Sequence, residues 1–219
     1  MKHRINETVK NLIVPLLTLI SLISLGTNVL LFQKLQSQNT VVDVVDGDTF
    51  QLASGKRIRL MGVDAPEYAR CGGKQAMDRL TELIDGKNVR LLEEVQESFG
   101  RTLALVYIDD TLVNEVMLTE GWGRTDYRKN SRREVLTAAF HKAQSAKRGI
   151  FSTLCRSTTI PKGECLIKGN IDKNSYDKFY HVPGCLHYGE VVIEKDIGEG
   201  YFCTEKEAVE AGFTKAAGC

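Results

Sequence analysis

The stretch VVDVVDGDTFQLASGKRIRLMGVDAPE, residues 41–67, reads as three short strands, Val41–Val45, Thr49–Leu52 and Arg57–Gly62. Asp46-Gly47 and Ser54-Gly55 supply the turns between them, so the three form a meander. Beyond it, Ala76, Met77, Leu80, Leu83 and Ile84 recur at helical spacing, and Gly86 stands where a helix ends in a left-handed residue. Asn88–Glu93 and Leu103–Ile108 read as two further strands. Asn114 is expected to cap a short helix through Val116 and Met117 that stops at Gly121. Ser131-x-x-Glu134 has the form of a capping box opening a longer helix, with Val135, Leu136, Ala139, Phe140 and Ala143 inward and an end near Gly149. Three strands, a helix, two strands and closing helices suit a β-barrel with helices, an OB-fold: a five-stranded Greek-key barrel plus about three α-helices.

The flanks are of different material. Leu12 to Phe32 carries no charge and is long enough to cross a hydrocarbon core as a helix, with Lys2, Arg4 and Lys10 before it. The positive-inside rule keeps that basic tip in the cytoplasm and sends the chain beyond Phe32 to the other side, giving a single-pass protein of the cell membrane with its folded part extracytoplasmic. Ser24-Leu25-Gly26 resembles a cleavage site, so secretion after signal cleavage is the alternative, and both readings imply export. The net charge of +1 divides into +3 for residues 1–40, zero for 41–155 and −2 for 156–219, which excludes a broad basic field as the means of holding a polyanion. The expected division is 1–35 tip and transmembrane helix, 36–40 linker, 41–155 barrel domain, 156–164 linker, and 165–219 a small cysteine-rich α+β module. In that module Thr204-x-x-Glu207 is a second capping box, before Ala208, Val209 and Gly212.

Three clusters carry chemistry. Asp48 ends one turn of the meander, and Asp64 and Glu67 lie on an irregular loop that Pro66 keeps out of helix. Asp48 and Asp64 at the ends of neighbouring strands can offer carboxylate oxygens to a hard divalent cation, with a loop carbonyl and water completing the shell; calcium suits an exported protein. Arg59, on the strand before that loop, and Arg101, at the start of the strand in Phe99-Gly100-Arg101-Thr102-Leu103-Ala104, supply two planar guanidiniums matched to phosphate oxygens. A metal site, a spare carboxylate and two arginines are the parts needed for phosphodiester hydrolysis.

From about Val41 to Phe151 the chain resembles the thermonucleases, the staphylococcal-nuclease type of calcium-dependent nuclease. The likeness lies in VVDGDTF, RIRLMGVDAPE, FGRTLA followed by Val106-Tyr107, VNEVMLTEGWG and the closing Ala146-Lys147-Arg148-Gly149-Ile150-Phe151, in the family's order. It implies an OB barrel and calcium-dependent hydrolysis of DNA and RNA to products with 3′-phosphate ends. It further implies that Asp48 and Asp64 ligate calcium through carboxylates and Ala65 through its carbonyl, where the family often has threonine. By the same resemblance Glu67 is the general base, and Arg59 and Arg101 are the phosphate clamps. Glu97-Ser98-Phe99 departs from the lysine and tyrosine that relatives offer a terminal phosphate, which predicts a weaker grip on mononucleotides. Tyr127 falls where the family borders its nucleotide pocket, and Arg128 and Lys129, with Arg124, Arg132 and Arg133, are candidates for tracking a nucleic-acid backbone. The alternative function is a catalytically weak barrel that binds nucleic acid or the cell envelope. DNA and RNA as substrates, the membrane through the N-terminal helix, and a monomeric state complete the expected partners.

Residues 165–219 resemble a small module attached to bacterial exported nucleases. Six cysteines in an oxidising compartment favour disulfides, two of them among Cys165, Cys185, Cys203 and Cys219 in a pairing the sequence leaves open. Structural zinc, with His181 and His187 as substitute ligands, is the alternative for the module. Cys71 follows the acidic loop and Cys155 follows the closing helix, so a bond between them would fasten that loop.

Overall fold

The structure, a computed structural model, describes residues 2–97, 100–126, 128–157, 163 and 165–219. The first element, α1 (Lys2–Gln38), is a single helix that contains Pro15 and extends six residues past the apolar run, into the segment expected as a linker. Its stretch Ile13–Leu31 is long and apolar enough to cross a membrane, and none of it is covered by the rest of the chain.

The barrel follows the expected meander closely. Strands β1 (Val41–Val44), β2 (Thr49–Leu52) and β3 (Arg57–Leu60) pair antiparallel in succession. After α2 (Gly73–Ile84) come β4 (Arg90–Gln96), β5 (Thr102–Ile108) and the two-residue β6 (Thr111–Leu112), which sequence reasoning missed. The sheet order is β1-β2-β3-β5-β4, with β3 and β5 parallel and β6 on β5. A bridge between Thr40 and Asn88 joins the chain entering β1 to the chain entering β4, so the two edges meet and the sheet curls into an OB-like barrel. Phe50, Leu52, Ile58, Leu60 and Leu105 of its strands are all buried.

Helices α3 (Val113–Glu120) and α4 (Arg133–Ser145) close the barrel, with Gly121 in the left-handed conformation after α3 as its position suggests. Two expected caps are absent. Leu112, not Asn114, precedes α3, and Asn114 is buried inside the first turn. Its amide oxygen accepts from the Val106 N–H (2.9 Å), and its amide nitrogen donates to the carbonyls of Met61 (2.8 Å) and Ala104 (3.2 Å). Backbone groups just after β3 and within β5 thus gain a partner, the Ala104 carbonyl in addition to the Met61 N–H it already accepts (2.9 Å), which offsets the cost of burying an amide. At α4 the Ser131 box does not form: the Glu93 carboxylate accepts the Ser131 N–H (3.1 Å), and the helix starts at Arg133 behind Asn130, whose Oδ1 accepts from the Arg132 N–H (2.9 Å). A partner across the barrel outcompetes the local one.

The C-terminal module is built from short strands and one helix. Strands β8 (Ile167–Ile171), β9 (Lys178–His181), β11 (Gly200–Phe202) and β12 (Thr214–Lys215) form one sheet; β7 (Arg156–Ser157) and β10 (Ile193–Glu194) pair separately. Helix α5 (Glu205–Glu210) carries the predicted Thr204 cap, which accepts from the Glu207 N–H (3.2 Å), while the Glu207 carboxylate reaches one residue further back and accepts from the Cys203 N–H (2.9 Å) instead of the Thr204 N–H. The buried apolar cluster of this module is only Ile167, Tyr180, Ala208 and Phe213. Disulfides Cys165–Cys203 and Cys185–Cys219 supplement that small core, and Cys71–Cys155 spans 84 residues of the barrel part. The zinc alternative fails because every thiol it needs is consumed in a disulfide, and among the described residues no group of three or more histidine, cysteine or acidic side chains converges.

Candidate active site

The ends of β2 and β3 and the loop behind them bring the acidic residues together. Asp48 precedes β2, and its carbonyl accepts from the Leu60 N–H of β3 (2.8 Å), which holds the turn against the strand leading to Asp64. Gly47 is required there, since a side chain on it would collide with Ala65 and with Ala76 of α2. The Asp48 carboxylate accepts from Thr49 Oγ1 (2.7 Å) and from the Ala65 N–H (3.1 Å), so it is already tied to the loop that carries Asp64 and Glu67. Burial, only partly opposed by Arg59, pushes its pKa up to about 7.

Arg59 joins the two aspartates. One nitrogen, Nη2, lies 3.0 Å from Asp48 and 2.7 Å from Asp64. A cation therefore already bridges the carboxylates expected to ligate a metal. Their oxygens are hard donors within reach of one central atom, with the Ala65 backbone beside them, which fits calcium chemistry. Arg59 Nε is buried and has no hydrogen-bond partner among the described residues, an unspent donor of the kind an anion would satisfy.

Arg101 reaches the same face by strand geometry. Arg59 on β3 is in register with Leu103 on the parallel neighbour β5, and Arg101 lies two residues earlier, hence on the same side of the sheet. Glu97 grips it, accepting from Arg101 Nε (3.0 Å) while its other oxygen accepts from Arg128 Nη1 (2.7 Å). Although burial opposes its charge, Arg128 and Arg101 hold Glu97 below the usual carboxylate range, and its field in turn helps keep Arg59 charged. Sequence reasoning missed Glu97, though its four-residue spacing from Arg101 was the available signal.

Glu67 is exposed on the loop, with no strand to hold it. The loop is tightened from behind: the Arg70 N–H donates to the Glu67 carbonyl (2.8 Å), and Gly73 packs so close to that carbonyl that any side chain there would displace it. The disulfide from Cys71 fixes the far end of this turn.

The candidates for tracking a nucleic-acid backbone separate into two groups. Lys129 and Arg133 are exposed, while Arg128 is ion-paired with Glu97 and Asp126, and Arg132 Nε donates to the Tyr107 hydroxyl (3.2 Å). Arg124 reaches into the C-terminal module, where Asp196 (2.8 Å) and Glu194 (3.1 Å) bind it. Tyr127 lies outside the described residues.

Comparison with known proteins places this arrangement. Residues 57–153 match the family described as Staphylococcal nuclease homologue. An uncharacterized endonuclease of Escherichia coli O157:H7 is 34% identical over 118 residues, covering 51% of this chain and 75% of that protein. The thermonuclease of Staphylococcus hyicus is 35% identical over 125 residues, 51% of this chain and 74% of its own length. A probable staphylococcal-like nuclease of rice is 35% identical over 103 residues, and there the match spans only 30% of the relative. The C-terminal module lies outside the matched family segment.

Proposed function

Because the chain belongs to the staphylococcal nuclease homologues, nucleic-acid hydrolases by family, we propose that it is a calcium-dependent phosphodiesterase that cleaves DNA and RNA to products with 3′-phosphate ends, outside the cytoplasmic membrane. The observation that carries this reading is the single Arg59 nitrogen bridging Asp48 and Asp64, with the Glu67 loop bonded to Asp48 through Ala65. Asp48, Asp64 and the Ala65 carbonyl would hold the calcium; bound there, the ion neutralises phosphate charge as a Lewis acid. Arg59 would turn its fork, including the Nε that has no partner among the described residues, toward the phosphate oxygens. Glu67 orients a water and takes its proton, on the face opposite the leaving 5′-oxygen. Arg101 stabilises the additional negative charge of the five-coordinate phosphorus. With the 5′-oxygen as leaving group, the phosphate stays on the 3′ side.

An extracytoplasmic position is supported by the uncovered apolar helix and by three disulfides, which persist in oxidising compartments. Membrane attachment through α1 and a monomeric state belong to the same reading.

The test is to incubate the full chain in detergent with denatured DNA and with RNA, in calcium or in excess chelator, and to identify the product ends. Calcium-dependent products ending in 3′-phosphate are expected. Undiminished cleavage in chelator, or 5′-phosphate ends, would overturn the mechanism. Binding without cleavage would favour the alternative of a nucleic-acid platform.

A further inference from the structure

Arg124 connects the C-terminal module to the metal loop. Its N–H donates to the Asp64 carbonyl and its carbonyl accepts from the Asp64 N–H, both at 2.8 Å, an isolated two-bond bridge on the residue that carries a proposed calcium ligand. Its guanidinium points the other way. Nε donates to Asp196 Oδ2 (2.8 Å) and Nη2 to Glu194 Oε2 (3.1 Å), and those two carboxylates are 1% and 2% exposed. The Phe151 ring packs 5.4 Å from the same guanidinium, so the side chain has little freedom to leave.

The acids are themselves fixed. Glu194 lies in β10, paired with β7, and also receives Arg156 and Lys173, each at 2.6 Å. The Lys195 N–H donates to the Cys155 carbonyl (2.9 Å), and Cys155 is bonded to Cys71 on the catalytic-loop side. Between the two parts is a cleft of about 130 Å³ bordered by Asp64, Ala65, Glu67, Arg70, Asp196 and Ile197. The module therefore forms a wall behind the loop from which calcium would be held.

We infer that the C-terminal module braces the metal loop, with Asp196 and Glu194 acting through Arg124 as positioning residues for Asp64. This rests on the reading of Asp64 as a calcium ligand. Groups that orient metal ligands typically change metal affinity by about 10- to 100-fold when removed. Here the coupling runs through a backbone bridge, so about tenfold is expected.

The experiment measures calcium binding by calorimetry and calcium-dependent cleavage for the full chain in detergent, comparing wild type, Asp64→Asn, Asp196→Asn and Lys206→Ala. Lys206 lies on the same module, is exposed, pairs only loosely with the exposed Glu210 (3.8 Å) and serves as the control for a change in the module's surface charge. Asp196→Asn should weaken calcium binding about tenfold, with cleavage restored toward wild-type kcat at saturating calcium, while Lys206→Ala binds as wild type does. Wild-type calcium affinity in folded Asp196→Asn, alongside loss of binding in Asp64→Asn, would overturn the brace and leave the active site standing. Calcium binding undiminished in Asp64→Asn would instead defeat the reading of the site itself. If Asp196→Asn does not fold, Arg124→Lys, which keeps the charge and loses the two-pronged fork, should weaken calcium binding severalfold, and unchanged affinity there would also overturn the brace.

Discussion

Glu67→Gln should lower kcat by about 10²- to 10⁴-fold, the range expected when a positioned general base is removed. Glutamine keeps the shape and can still touch a water, but it cannot accept the proton as that water attacks. Glu67 is exposed, so the variant should fold and melt like the parent. Calcium binding should survive, because the proposed ligands are Asp48, Asp64 and the Ala65 carbonyl. Single-turnover cleavage of denatured DNA at saturating calcium separates the chemical step from binding. A Glu67→Gln chain that cleaves within a few fold of wild type would remove the base from the mechanism.

The second large effect is at Arg59. Arg59→Ala removes a donor from the developing phosphate charge and should raise the barrier by about 3 kcal/mol or more, at least about 10²-fold in rate. It also strips the cation from between Asp48, which is 3% exposed, and Asp64. Losing one partner of a buried pair costs about 3–5 kcal/mol; here the exposure of Asp64 places the cost near the lower figure, about 3 kcal/mol. The pH dependence has a definite sign in the calcium-free chain. Burial raises the folded pKa of Asp48 from 3.8 to about 7, so its neutral form stabilises the fold most below the unfolded value. That contribution is lost as pH rises through the interval up to about 7. Without Arg59 the penalty grows and reaches higher pH, so denaturant melts of Arg59→Ala should diverge from wild type above neutrality. Arg59→Lys separates the two roles: it retains charge and most of the stability but loses the planar fork, so its rate should remain low. A lysine variant with wild-type kcat would show that charge alone suffices.

The barrel was legible because its decisive stretch obeys local rules. Asp46-Gly47 and Ser54-Gly55 turn the chain, Ile58 and Leu60 alternate with Arg57 and Arg59, and β2 and β3 appear where that pattern puts them. The proximity of Asp48, Arg59 and Asp64 was legible for the same reason: Asp48 precedes β2, Arg59 in β3 lies opposite Thr49 and Asp64 follows β3, so strand pairing carries them together. Reading failed where a distant partner beat a local one. Asn114 looks like a cap in sequence, yet Met61, 53 residues away, and the Val106 and Ala104 backbone engage its amide. Ser131 heads a regular capping box, yet Glu93 takes its N–H. Arg124 resembles its basic neighbours on the loop, and nothing near it in sequence reveals that Asp196, 72 residues on, binds it. The bond between Cys71 and Cys155 was legible from where each falls in the chain, whereas the spacing of the other four cysteines leaves their pairing open, and the fold selects Cys165–Cys203 and Cys185–Cys219.

Calcium titration of the full chain beside Asp48→Asn and Asp64→Asn addresses most directly whether these residues share one ion. The parent and Glu67→Gln should bind calcium equally well, and each aspartate variant should be severely weakened. Equal calcium affinity in the parent and in both aspartate variants would contradict a shared ion.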